Sequence, residues 1–304
     1  MLADPAGRSI FISAPDGLKL HARCYGPRSA GRTVVCLPGL ARTAADFETL
    51  AAALAAPGEA RRVIALDYRG RGLSDYDRDP AKYNFHVELA DLQAVLTALD
   101  ALPAVFVGTS RGGILTMLLA ALRPTALAGA VLNDIGPVLE PKGLMRIKGY
   151  VGKLPEPRSF GEGAEILRRL FDAQFPKLTG EDWLNAAHRT FKEANGRLVT
   201  TYDPALAKTM EGVDFEKPMP PLWKEFEALR HVPLMTIRGE HSDLLTAETV
   251  DAMAQRHAGM ERLEVADQGH APLLAEPEVI ARIATFVAGC EARPRAAQFA
   301  VAAG

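Results

Sequence analysis

Val105-Phe106-Val107-Gly108-Thr109-Ser110-Arg111-Gly112-Gly113-Ile114 is the stretch on which the fold turns. The apolar run 104–107 reads as a short strand of the kind that is covered on both faces. The run 113–122 reads as an apolar helix, closed by Arg123-Pro124 because Pro124 cannot continue it. Between them, Gly108-Thr109-Ser110-Arg111-Gly112 matches G-x-S-x-G in its required strand-to-helix setting. So sharp a turn leaves no room for side chains two positions either side of the serine, hence the two glycines. It lifts Ser110 out of the backbone and aims the first amides of the following helix toward it. There, with the helix dipole, the Arg111 N–H can hold an oxyanion.

Working outward, the same alternation recurs. Upstream, Thr33-Val34-Val35-Cys36-Leu37 is a β-branched run stopped by Pro38-Gly39 and followed by helical spacing over 44–56. Next come a strand over 63–66, a turn at Arg69-Gly70-Arg71-Gly72 and a helix over 86–99. Downstream lie strands over 129–132, 233–237 and 262–265, with helices over 247–256 and 277–287. Repeated strand-then-helix units predict a mostly parallel sheet flanked by helices. Residues 9–25 read as a hairpin around Pro15-Asp16-Gly17 at the sheet edge. The alternation breaks over 137–230, which is Pro-, Gly- and charge-rich with amphipathic pieces at 165–171 and 183–192. This predicts an inserted helical module, with 1–136 and 231–304 forming the core. The Ala-rich tail 293–304 reads as frayed.

A serine needs a histidine to take its proton, and that histidine needs a carboxylate to fix its tautomer. His270, in Asp267-Gln268-Gly269-His270-Ala271-Pro272, follows the last predicted strand and is the expected base. Asp243 follows the preceding strand, giving the chain order Ser, Asp, His, and is the preferred acid. Asp134, ending the strand after the Ser110 helix, is the alternative acid, and Glu240 competes from the loop of Asp243. A second oxyanion donor is expected from Leu37-Pro38-Gly39-Leu40, at the Leu40 N–H.

Composition narrows the partners. The 304 residues carry 35 basic and 37 acidic side chains, a formal charge of −2, without a long run of one sign. Nothing in that balance suggests a nucleic-acid surface; the expected partner is a small molecule. No apolar run reaches the ~18 residues of a membrane span, and the first residues lack a signal-peptide pattern. Cys24, Cys36 and Cys290 are too scattered for a disulfide framework or a zinc site, so a reducing, cytoplasmic setting is expected. No cofactor or metal is expected. His21, His86, His188, His231, His241 and His257 read as surface or boundary residues without helical metal spacing. Gly70-Arg71-Gly72 lacks the third glycine of a dinucleotide fingerprint and reads as a structural turn. Arg42 and Arg111 read first as ion-paired groups and second as contacts to an acidic substrate. Trp183, Phe191, Tyr202 and Trp223 read first as the insertion's own core.

With these pieces in order, residues 9–289 resemble the α/β-hydrolase superfamily, specifically its capped esterase- or lactonase-like members carrying the loop Asp67-Tyr68-Arg69-Gly70-Arg71-Gly72-Leu73-Ser74. The resemblance implies an eight-stranded-type sheet, a helical cap at 137–230 that sets substrate choice, and a monomer or homodimer. Where that family has histidine before the donor-loop glycine, this chain has Pro38. A serine at position 110 argues against the dehalogenase and epoxide-hydrolase branches, which use aspartate. The implied reaction is hydrolysis of a carboxylic ester or lactone through a Ser-His-Asp triad and an acyl-enzyme. The alternatives are carbon–carbon bond hydrolysis of ring-cleavage products and, in a different class, a cofactor-free dioxygenase or a ligand-binding receptor.

Overall fold

The computed structural model describes residues 7–291 apart from 29–30, 57, 60 and 215–216. The expected tail at 293–304 lies outside the described residues. Strands β1 (Arg8–Ser13) and β2 (Lys19–Tyr25) form the predicted hairpin. Strand β3 (Thr33–Leu37) leads to α1 (Glu48–Leu54), β4 (Val63–Asp67) to α2 (Phe85–Ala98), and β5 (Ala104–Thr109) to α3 (Arg111–Leu122). After β6 (Leu127–Asn133) the chain leaves the sheet. It makes α4 (Pro141–Tyr150), α5 (Phe160–Phe171), α6 (Gly180–Thr190), the hairpin β7 (Phe191–Ala194) and β8 (Arg197–Thr200), and α7 (Trp223–Glu227). It returns as β9 (Leu234–Gly239), α8 (Ala247–Arg256), β10 (Glu261–Val265) and α9 (Pro277–Glu291).

The eight-stranded sheet has the order β1-β2-β4-β3-β5-β6-β9-β10, antiparallel at the β1–β2 and β2–β4 pairs and parallel elsewhere. Its central strands are buried on both faces because alternate side chains meet different helices. Val34, Cys36, Val105 and Val107 pack with Leu50 and Leu54 of α1 and Ile283 and Val287 of α9. Val35, Leu37 and Phe106 pack on the other face with Leu92 and Val95 of α2 and Leu115 and Leu119 of α3. Each side chain so removed from water stabilises the fold by about 1.5–3 kcal/mol.

The insertion has a small core of its own, in which Leu167, Trp183, Ala187, Phe191 and Leu198 are buried together. Two of the four aromatic assignments therefore differ from expectation. Tyr202 joins the main core, and Trp223 packs against it beneath the Arg256 guanidinium, 4.0 Å from the ring centroid. The segment read as helix over 183–192 ends at Thr190 and turns into β7. The reason is Asn195-Gly196, both in the left-handed region (φ 51° and 73°), which closes a two-residue β-turn. His21 and His257 also differ from expectation, being 1% and 5% exposed. The His21 ring sits between Asp67 (2.7 Å) and Ser9 (2.9 Å), and His257 lies on the carbonyls of Leu229 and Val232. Among the described residues no helix is long and apolar enough to cross a membrane.

Candidate active site

The turn between β5 and α3 has the geometry that its glycines imply. Ser110 stands at φ 51°, ψ −114°, a sparsely populated backbone state costing roughly 1–3 kcal/mol. The Ser110 N–H donates to the Asn133 carbonyl (3.0 Å) and its own carbonyl accepts from Gly113 N–H (2.9 Å). A Cβ at Gly108 would lie 2.6 Å from the Gly112 carbonyl carbon, and one at Gly112 would lie 2.1 Å from the Leu37 carbonyl oxygen. Any side chain at either position would push the turn away from the sheet.

His270 lies where the loop after β10 meets this turn, its Nε2 2.9 Å from Ser110 Oγ. Its Nδ1 is 2.8 Å from Asp134 Oδ2, so with the Nδ1 proton directed at the carboxylate, Nε2 presents a lone pair to the serine hydroxyl. The Asn133 amide donates to the Pro272 carbonyl (2.9 Å), tying the histidine loop to the end of β6. Asp134 is fully buried and held on both oxygens. Oδ1 accepts from Gly239 N–H (2.8 Å), and Oδ2 also accepts from Ser242 Oγ (2.6 Å).

Asp243, the preferred acid on sequence grounds, is not the carboxylate on His270. Both of its oxygens are taken by Arg146 of α4, at 2.6 and 2.8 Å. Burial would push the Asp243 carboxyl up, but Arg146 outweighs it and holds the group below the usual carboxylate range. Glu240 turns elsewhere, accepting from the Asp267 N–H (2.9 Å). The group that holds Asp243 is thus an arginine of the insertion, 97 residues upstream, which strand-and-loop reading has no means of locating.

The residues of both candidate oxyanion donors, Leu40 and Arg111, line one cavity with Ser110. The Gly39 Cβ position lies 3.8 Å from Ser110 Cβ, which brings the turn before Leu40 against the serine. Among the described residues neither the Leu40 nor the Arg111 N–H donates to a protein acceptor. A buried charge network braces both. Glu88, 0% exposed, accepts from Arg71 (2.7 Å) and Arg111 (2.6 Å), while Arg71 Nε donates to the Leu40 carbonyl (2.9 Å). Burial would raise the Glu88 carboxyl, but Arg111 and Arg71 prevail and lower it. The turn at Gly70-Arg71-Gly72 therefore does more than reverse the chain. Besides presenting Arg71, it docks the insertion, with Gly72 N–H on the Thr201 carbonyl (2.7 Å) and Asp203 N–H on the Gly70 carbonyl (2.8 Å). The sequence signal was an arginine placed between two glycines and facing an apolar helix with an acidic residue on its buried side.

Arg111 is thus ion-paired with Glu88, and Arg42 with Asp46, with a further bond to Thr190 of α6 (3.1 Å). Beside Ser110 lies a cavity of about 700 Å³ lined by Leu40, Ile114, Ile135, Leu144, Ile147 and Met210, with Lys208 and Asp79 also among its lining residues. None of Trp183, Phe191, Tyr202 and Trp223 lines it. Away from the serine, Glu240, His241 and Asp267 bring one ligand-type atom each to within 4.8 Å of one another on an exposed surface.

The sequence model described as "Alpha/beta hydrolase family" matches residues 34–283. The chain belongs to the α/β-hydrolase family. This hydrolase is 34% identical over 304 aligned residues to the 3-hydroxybutyrate-oligomer hydrolase of Cupriavidus necator, covering 95% of this chain and 100% of that one. It superimposes with a TM-score of 0.85 on the crystal structure of an α/β hydrolase from Novosphingobium aromaticivorans, at 39% identity, covering 95% of this hydrolase and 99% of that chain. An esterase from Exiguobacterium antarcticum shares the fold at a TM-score of 0.70 and 18% identity, over 92% of this chain and 100% of that one.

Proposed function

We propose that this hydrolase cleaves a carboxylic ester, a lactone included, with Ser110 as nucleophile, His270 as base and Asp134 as the orienting acid. The observation that carries the reading is the unbroken line Asp134–His270–Ser110, 2.8 and 2.9 Å. Ser110 Oγ attacks the carbonyl carbon as His270 Nε2 takes its proton, and the Asp134 carboxylate stabilises the imidazolium through Nδ1–H. The oxyanion accepts from the Leu40 and Arg111 N–H groups. The leaving alkoxide then takes the proton from Nε2, and water, activated by the same nitrogen, releases the acyl group.

The insertion at 137–230 acts in this reading as a cap. It contributes Leu144, Ile147 and Met210 to the cavity wall, so that part of the substrate is expected to be aliphatic. The activity of the Cupriavidus necator relative supports esters of 3-hydroxy acids as the first substrates to test. The direct experiment is turnover of a small nitrophenyl ester and labelling by a fluorophosphonate. Ser110→Ala abolishes both while thermal unfolding stays unchanged; wild-type turnover in that variant would refute the assignment. A panel of acyl-chain lengths, lactones and 3-hydroxybutyrate oligomers then sets the substrate.

A further inference from the structure

Two carboxylates stand at the same rim of the sheet, and one histidine takes only one of them. Asp134 directly follows β6, and Asp243 lies in the loop after β9. Ser242, its chain neighbour, is hydrogen-bonded to the same Asp134 oxygen that His270 uses (2.6 and 2.8 Å). Gln174, which follows α5, closes the gap from the other side by accepting from the His270 N–H (3.3 Å) beside Gly269. Asp243 is therefore a near neighbour of the imidazole, and its side chain is almost wholly buried, at 8% exposure. What separates them chemically is Arg146. Its Nε and Nη2 take both Asp243 oxygens, and its Nη1 is buried without a hydrogen-bond partner.

We infer that Arg146 is a positioning residue of the triad: by occupying Asp243 it assigns His270 to Asp134, and because Arg146 belongs to α4 the insertion itself enforces that assignment. The inference rests on the ester-hydrolase reading above. The groups on the imidazole are Ser110 and Asp134, with the paired Asp243 near enough to act on its charge; Gln174 after α5 accepts from the His270 backbone N–H and also supports the Asp243 carboxylate, which Arg146 and Tyr150 face from α4. With the guanidinium present, Asp134 is the single uncompensated carboxylate among them. Without it there are two, and a second negative charge beside the ring favours the imidazolium.

Two outcomes follow that a bracing role alone would not produce. Asp134→Asn loses roughly 10³- to 10⁴-fold in kcat, and adding Arg146→Met restores at least about tenfold, because Asp243, then left with Gln174 alone, can accept the hydrogen bond from Nδ1–H. In the background with Asp134 intact, Arg146→Met moves the acid limb of kcat/KM to higher pH, whereas Arg146→Lys, which keeps the charge, leaves it in place. Arg146→Gln removes the charge and can engage only one Asp243 oxygen, leaving the other open, and so carries the same two expectations should the methionine variant fail to fold. The rate of Ser110 labelling by a fluorophosphonate is measured alongside turnover. It reports the competence of His270 for any acyl substrate, so a failed ester assignment and a failed Arg146 assignment give different results. A double variant no faster than Asp134→Asn, or an acid limb unmoved by loss of the charge, overturns the inference.

Discussion

Asp134 and Asp243 differ less in position than in what their oxygens already hold. Asp134 spends one oxygen on the Gly239 amide and shares the other between Ser242 and His270, whereas Asp243 has both closed by Arg146. Asp243→Asn leaves the His270 line intact but strands the half-buried Arg146 charge, and is expected to cost about 1–3 kcal/mol, discounted for its residual exposure. Chemical denaturation measures that loss, while Ser110 labelling persists. Glu88 is fully buried between two guanidiniums, so Glu88→Gln, which leaves both without a counter-charge, costs more, about 3–5 kcal/mol. Glu88 and Asp243 are both depressed in the fold. Their contribution is therefore complete above the unfolded carboxyl range near pH ~4 and is lost as pH falls through the lower native values. Thermal midpoints measured from pH 6 down to 2.5 fall at the acid end, and Glu88→Gln flattens that fall; an unaltered slope would contradict the charge network.

At the scale of elements, strand, turn and helix around Ser110 were readable because their causes are local. The apolar run of β5, the two small residues and the proline after α3 act within a few residues of one another. Gly112→Ala tests this, since its Cβ falls inside the Leu37 carbonyl. Loss of soluble protein, or of more than ~4 kcal/mol of stability, is expected, and a wild-type unfolding midpoint would refute the close approach. The insertion was less readable. The amphipathic pieces became α5 and α6, but the Asn195-Gly196 turn, a two-residue hairpin signal, was masked by the helical spacing that precedes it. Tyr202 and Trp223 were assigned to the insertion because they lie within it in the chain. Tyr202 packs on the main core because the segment from Thr201 to Asp203 is pinned to the Gly70–Gly72 turn, and Trp223 does so because it belongs to α7, which packs against α3.

Taken whole, the molecule places an aliphatic cavity of about 700 Å³ next to Ser110, with walls from both the core and the insertion. Met210→Trp narrows it from the insertion side. It is expected to lower kcat/KM for an octanoyl ester relative to an acetyl ester by about tenfold or more, each lost methylene contact being worth roughly 1 kcal/mol or above. An unchanged ratio would place the acyl chain elsewhere.

What the residues determined by themselves was the doubly covered, mostly parallel sheet, the sharp turn bearing Ser110 and the loop bearing His270, all consequences of periodicity and backbone sterics acting over short spans. What only the tertiary structure decided was which carboxylate the histidine holds. Asp134 reaches His270 across 136 positions of chain, and Arg146 reaches Asp243 across 97. A carboxylate's role depends on which donors arrive at its oxygens, and those donors come from strands and helices that meet only when the sheet and the insertion have packed together.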